Sequence, residues 1–259
     1  YWRGECDQER IHYKGEPISA DKIVRAGWRL DRQLPQTTEP DVNAAVTFLY
    51  EDEALVAVNK SAPLPMHACG RFNLNSLSHL LGKVFAGEQL RILHRLDANT
   101  TGVVLFARKK NIARPIHEQF KAGTVEKVYL AKIKGHPVDD NFTCEAKIAD
   151  SPQSAGSRSV DADGQPATTD FEVVARSDDG TSLVRCYPKT GRTNQIRVHL
   201  SHLGYPIVGD PTYRQGGEAN AKQSLTVDDP PMCLHALSLT ITHPVSNERI
   251  EFKAPEPAW

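Results

Sequence analysis

Nothing in this 259-residue sequence approaches the eighteen or so consecutive apolar residues that a membrane-spanning helix requires, so no such span is expected. There is no Walker-type phosphate loop and no GxGxxG, so a nucleotide cofactor is not expected. Cysteine is sparse: five residues, at positions 6, 69, 144, 186 and 233, with no CxxC pair. An odd number at such spacing argues against a disulfide framework and for reduced thiols in the cytoplasm. The opening YWRGECDQER has none of the pattern of a secretory signal. His67 with Cys69 would make half a metal site, and His199 with His202 another half. Neither has the further ligands a metal needs, so no metal is expected. An excess of either charge is missing as well: 31 Lys and Arg against 32 Asp and Glu give a net of −1. With 39% hydrophobic and 24% charged residues, this is the composition of a globular chain. Its length suits one large domain, or one domain with a small appendage.

The charge is unevenly spread. Residues 91–134 hold ten Lys/Arg against three Asp/Glu, a net of +7, while 1–90 and 135–259 carry −2 and −6. Such a local excess suits a polyanionic substrate, or else a solvated basic face. At its centre lies Leu93-His94-Arg95-Leu96-Asp97. The turn-forming Ala98-Asn99-Thr100-Thr101-Gly102 follows, then an apolar run from Val103 to Ala107 that reads as a buried strand. One carboxylate, Asp97, is thus held at the mouth of a strand beside Arg95. Nearby cations keep a carboxylate ionised, and an ionised carboxylate can act as a nucleophile. On spacing alone a turn cap paired with Arg95 is the commoner arrangement.

Along the chain, Arg10 to Tyr13 reads as a short strand entering a Lys14-Gly15 turn. A second piece ends at Ala26-Gly27-Trp28-Arg29-Leu30, and Pro35 to Asp41 reads as a linker. Thr47 to Tyr50 and Leu55 to Lys60 read as paired strands, and Asn75 to Phe85 as a core-facing helix through Leu77, Leu80, Leu81 and Val84. Next come a helix from Asn111 to Lys121 (Ile112, Ile116, Phe120) and a strand from Val125 to Ile133. A strand from Leu183 to Tyr187 leads through the Thr190-Gly191 turn into a helix carrying Ile196, Leu200 and Leu203. Leu234 to Leu239 and Arg249 to Phe252 read as a closing strand pair, while residues 139–180 place no element. Strands interrupted by a few helices, with no βαβ rhythm, predict an α+β fold, a mostly antiparallel mixed central sheet with flanking helices.

HRLDANTTGVVLFARKK resembles the active-site motif of the RluA-type RNA pseudouridine synthases. Three further stretches resemble the same family in the same order. The first is LVAVNKSAPLPMHACGRFNLNSL, with Ser61 where the family has Pro after the lysine. The second is Lys127-Val128-Tyr129-Leu130-Ala131. The third runs from Thr190 to Leu200, TGRTNQIRVHL, with Asn194 where the family usually has His. GYPIVGDPTY, Gly204 to Tyr213, and Leu234 through Pro244 complete the match, which covers roughly residues 46 to 259. The resemblance implies a catalytic domain over 43–259, preceded by an extension over 1–42 that contains β structure. Residues 9–34 are similar to the back half of an S4-like RNA-binding module; a plain β-extension is the alternative.

What the resemblance implies for the site is specific. Asp97 would be the catalytic nucleophile, Arg197 its ion-pair partner and Tyr129 the residue against the target base, all three catalytic. Arg95, Leu96, Arg192 and Asn194 would bind substrate. The protein would be an isomerase converting specific uridines of structured RNA, tRNA or ribosomal RNA, to pseudouridine, a monomer needing no cofactor. Two other classes stay open: an RNA-binding protein without turnover, and a nucleoside or glycoside hydrolase. A hydrolase usually needs a second carboxylate, and only Glu88 and Glu118 are near in sequence.

Overall fold

The computed structural model describes residues 1–34, 37–151, 156–214 and 225–259 of the chain. They form two units, residues 1–39 and 40–259. The linker expected from Pro35 to Asp41 and the polar loop after Ser151 fall partly outside the described residues.

The first unit holds a short helix, α1 (Trp2–Asp7), and three antiparallel strands in the order β2-β1-β3: β1 (Ile11–Tyr13), β2 (Glu16–Pro17) and β3 (Leu30–Arg32). Lys14 and Gly15 both have positive φ, 54° and 89°, the geometry a two-residue hairpin turn needs to match strand twist. Trp28 lies in a turn, its N–H bonded to the Arg25 carbonyl, so the second expected strand starts only at Leu30. The Trp28 ring instead stacks on Tyr13 at 3.8 Å.

The second unit is built on ten strands: β4 (Thr47–Glu51), β5 (Leu55–Lys60), β6 (Arg91–Ile92), β7 (Thr101–Ala107), β8 (Glu126–Lys134), β9 (Asn141–Cys144), β10 (Thr169–Arg176), β11 (Thr181–Pro188), β12 (Leu234–Thr242) and β13 (Arg249–Lys253). The main path runs β4-β5-β7-β12-β8-β11-β10-β9, with β6 added to β7 and β13 to β12. Every pairing is antiparallel except β7 with β12, where Thr101 and Gly102 face His235 and Ala236. This is the α+β mixed sheet that the spacing predicts.

Helices α2 (Leu77–Val84), α3 (Lys110–Ala122) and α4 (Gln195–His202) cover it. Leu55, Ala57, Val103 and Leu105 pack with Ala113 and Ile116 of α3 on one face. Val56, Val58, Val104 and Phe106 pack with Leu77 and Leu81 of α2 on the other. Burial on both faces is why β5 and β7 read as unbroken apolar runs. Val84, expected in the core, is 63% exposed because α2 ends there. A third cluster joins Ala131 of β8 and Val184 of β11 to Ile196 and Leu200 of α4. Strands β9 and β10 fill part of the region where no element was expected. In β10 only the first half alternates buried with part-buried positions, and the rest runs out into solvent.

Gly102 is required where β7 meets β12. It has φ +110°, and a Cβ there would lie 2.2 Å from the Ala236 carbonyl oxygen. The approach of these two strands places the turn that carries Asp97 beside the centre of the sheet.

Candidate active site

Asp97 opens a tight turn in which its carbonyl accepts the Thr100 N–H at 3.1 Å. The turn is tied to the sheet from below. Lys60, at the end of β5, is fully buried, and its Nζ donates to the carbonyls of Ser61 (2.9 Å), Leu64 (2.9 Å) and Ala98 (3.1 Å). Ala98 O also accepts the Leu64 N–H at 2.9 Å. Burial pushes the Lys60 ammonium down to about 7, against the opposing pull of Asp97.

The other wall is built by the end of β11 and the start of α4. Gln195 stitches the Thr190–Gly191 turn: its Oε1 accepts from Thr190 Oγ1 (2.7 Å) and Arg192 N–H (2.9 Å), and its Nε2 donates to Thr168 O (2.9 Å) and Thr169 Oγ1 (3.0 Å). Asn194 then turns the chain into α4 with φ 58°, a left-handed conformation that asparagine tolerates better than most residues. One turn further on, Arg197 reaches across the cavity. Its Nη1 donates to Asp97 Oδ2 at 2.8 Å and to Asn194 Oδ1 at 3.1 Å. Behind it, Nε and Nη2 donate to Asp210 Oδ2 (2.7 Å) and Oδ1 (2.8 Å), a bidentate pair. Side-chain exposure falls from 35% at Asp97 to 6% at Arg197 and 0% at Asp210. Burial works against the Arg197 charge, but Asp210 and Asp97 outweigh it and hold the guanidinium protonated.

Between the two walls lies a cavity of about 860 Å³, lined among others by Arg95, Asp97, Lys127, Tyr129, Arg192 and Arg197. Tyr129 and Lys127 are two apart on β8 and so point the same way. Burial raises the Tyr129 phenol far above its ordinary value, with Asp97 adding to the effect, so the hydroxyl stays neutral. Lys127 Nζ donates to Thr190 O at 2.9 Å, and burial lowers it to about 8. His94 is pushed down to about 4 by burial and by Lys127; its Nε2 accepts the Leu105 N–H at 3.1 Å, which leaves the proton of the neutral ring on Nδ1. The cavity is therefore a cationic hollow with, among the described residues, one carboxylate in its wall.

The family description "RNA pseudouridylate synthase" matches residues 54–202, from β5 through the Asp97 turn and Tyr129 to the end of α4. The chain belongs to this family. Among curated relatives, human pseudouridylate synthase RPUSD2 is 36% identical over 214 residues, 82% of this chain but 39% of its own length. Ribosomal large subunit pseudouridine synthase C of Salmonella typhi is 34% identical over 258 residues, covering 96% of this chain and 80% of that protein. The solved structure of human RNA pseudouridylate synthase domain containing 1 superposes with a TM-score of 0.66 at 28% identity, over 86% of this chain and 87% of that one. The chain thus spans about two-fifths of the human curated relative, 39%.

In this family member Asp97, Tyr129 and Arg197 converge from three separate parts of the sequence. Arg95 does not pair with Asp97; its side chain is exposed at the cavity rim, and the turn-cap reading with an Arg95 ion pair is corrected accordingly. Leu96 is 7% exposed, packs with Phe106 and Ala236, and lines the cavity. Arg192 is exposed and its Nε donates to Pro166 O at 3.0 Å. Asn194 spends its amide inside the protein, donating to Tyr213 OH at 3.0 Å and accepting from Arg197. His199 uses both ring nitrogens on Thr169 Oγ1 and Ala146 O, 2.9 Å each.

The basic stretch is not one patch in space. Arg108 lies at the far end of β7, about 20 Å along the strand from the Asp97 turn. There it grips Glu88, at 2.6 and 2.7 Å, and Glu51. Neither Glu88 nor Glu118 lines the cavity, so among the described residues a two-carboxylate hydrolase lacks its second acid there. Asp210, Lys60, Lys127 and Gln195 are the site residues that sequence reasoning missed. Asp210 lies within GYPIVGDPTY, already noted as part of the family resemblance, but nothing in that run says which cation the acid meets.

Proposed function

We propose that this chain is an isomerase that converts uridine in structured RNA to pseudouridine. Asp97 serves as nucleophile, Arg197 holds it, and Tyr129 lies against the base. The observation that carries this reading is the half-exposed Asp97 carboxylate in the wall of a cationic cavity, with one of its oxygens bonded to a buried arginine. In the reaction the N1–C1′ bond of uridine breaks, the base turns within the cavity, and a C5–C1′ bond forms. The C5 hydrogen leaves as a proton and N1 gains one, so no oxidant and no group donor is consumed.

Taking the base out of its stack costs a few kcal/mol. A Tyr129 face against it returns about 1–3 kcal/mol, and burial keeps the phenol protonated near neutrality. Arg95, Leu96, Arg192 and Asn194 bind the substrate, the two exposed arginines through its phosphates. This reading takes residues 43–259 as the catalytic domain and 1–42 as an accessory extension, in a monomeric cytoplasmic protein that needs no metal. Ribosomal RNA is the favoured substrate because the Salmonella relative's name includes the ribosomal large subunit; tRNA is the other class to be tested.

The deciding experiment supplies tRNA and ribosomal RNA transcripts labelled with tritium at uridine C5. Release of tritium from one of them, with no free uracil, is expected. Uracil release would instead indicate a hydrolase, and binding without either product an RNA-binding protein.

A further inference from the structure

We propose that Asp210 is a positioning residue for the reaction. It draws the fork of Arg197 to itself, so that Asp97 is held by a single N–H and keeps Oδ1 free to attack. The inference rests on the proposed role of Asp97 and adds the device that keeps its carboxylate available.

The geometry is asymmetric. A guanidinium facing one carboxylate usually binds both of its oxygens through paired N–H groups. Here that bidentate contact goes to Asp210, and Asp97 receives Nη1 alone, on Oδ2. Among the described residues Asp97 Oδ1 has no hydrogen bond. The buried Arg197–Asp210 pair is neutral overall, so the Asp97 charge is left uncancelled at the cavity wall.

Asp210 is itself immobilised. Its Oδ1 also accepts the Thr212 and Tyr213 N–H groups, at 2.8 and 3.0 Å. The residue before it, Gly209, has φ +76°, and a Cβ there would lie 2.2 Å from Pro231 O. The Tyr213 ring lies 4.9 Å from the guanidinium carbon, and its hydroxyl accepts from Asn194 Nδ2 and from the Arg158 N–H at 2.7 Å. Asp210, Asn194 and the Tyr213 ring together leave Arg197 little freedom to rotate toward Asp97.

The test is a cycle of Asp210→Asn and Arg197→Met, read by tritium release, by melting temperature and by carbodiimide labelling of Asp97 located by peptide mass spectrometry. Asp210→Asn frees the fork to close on both Asp97 oxygens. Its kcat should fall by about 10–100-fold with KM nearly unchanged, and Asp97 labelling should slow. In the Arg197→Met background the same change should leave kcat where it is and raise the melting temperature, since it removes a stranded buried carboxylate. An equal loss of kcat in both backgrounds, or a rise in KM alone, would overturn the proposal. If Asp210→Asn does not fold, Asp210→Glu keeps the charge but moves the fork; unchanged kcat and labelling in that variant would equally overturn it. Labelling does not depend on the RNA reaction. A wild type that releases no tritium while Asp210→Asn slows labelling would defeat the functional reading and with it the role of Asp210 in the reaction, and would leave standing only that Asp210 keeps the Asp97 carboxylate open. Unchanged labelling in an active wild type would overturn the role of Asp210 alone.

Discussion

Lys60 Nζ donates to the Ala98 carbonyl at 3.1 Å, which ties the end of β5 to the residue that follows Asp97. The ammonium is fully buried with three backbone carbonyls as partners and, among the described residues, no carboxylate within ion-pair distance. Lys60→Met keeps the bulk but releases the turn, so activity should drop sharply while stability changes little, because the charge no longer has to be buried. The pH dependence has a definite sign. The folded value near 7 lies below the ordinary 10.5, so between these values the unfolded chain holds the extra proton. This group's contribution to stability is therefore fully present above pH 10.5 and is lost as pH falls toward 7. Urea unfolding of wild type and Lys60→Met at both ends of that window should show wild type gaining on the variant as pH rises; parallel curves would refute it.

His94 acts in the acid range. Its ring is neutral in the fold with a value near 4, against 6.5 when free, so acid favours the unfolded chain. Its contribution is full above pH 6.5 and disappears as pH falls through 4. His94→Gln, whose amide oxygen can still accept the Leu105 N–H, should lose less stability than wild type over this interval. An equal acid sensitivity of the two proteins would show that another group governs it.

Substituting Arg197 separates charge from shape. Arg197→Met strands both Asp97 and Asp210, one of them fully buried, and should lose most activity together with about 3–5 kcal/mol of stability. Arg197→Lys retains the charge but cannot serve both acids with a planar fork, so it should lie between the two. Wild-type turnover in Arg197→Met would mean that the pairing has no part in the reaction.

Asp97→Asn preserves shape, and its amide oxygen can still accept from Arg197 Nη1, so the fold should survive. An amide is a far weaker nucleophile than a carboxylate, and tritium release should vanish while RNA binding stays within a few-fold. A chelator should leave wild-type turnover intact as long as the RNA remains folded. Tritium release by Asp97→Asn at the wild-type rate would remove Asp97 from the chemistry.

RNA affinity should depend on the cavity-rim cations and not on Arg108. Neutralising Arg95 or Arg192 should each reduce the slope of log affinity against log salt by about 0.7–0.9. Arg108→Ala should leave the slope unchanged, since that side chain is committed to Glu51 and Glu88. A reduced slope in Arg108→Ala would extend the RNA path along the whole of β7.

Periodicity and turn chemistry, which depend on near neighbours, were legible in the chain itself. Val103 to Ala107 is apolar throughout because β7 is buried on both faces, and Lys14-Gly15 is a turn because Gly15 takes positive φ without strain. Strand β10 was not legible because half of it faces solvent and its pattern fades. Family resemblance, carried by short motifs, singled out Asp97, Tyr129 and Arg197. What those motifs could not reveal was how charge is distributed in space. Counting along residues 91–134 places Arg108 beside Asp97, but an extended strand rises about 3.3 Å per residue and carries the two ends apart. Lys60 looks like any surface lysine until the Asp97 turn folds over it. Asp210 looks like a loop acid until Gly209 lets the chain pass against Pro231 and brings the carboxylate behind Arg197. The partners of these groups are contributed by segments remote in sequence, and a buried charge is defined by its partners. Only the tertiary structure could therefore decide which acid stands behind Arg197 and which oxygen of Asp97 is left open.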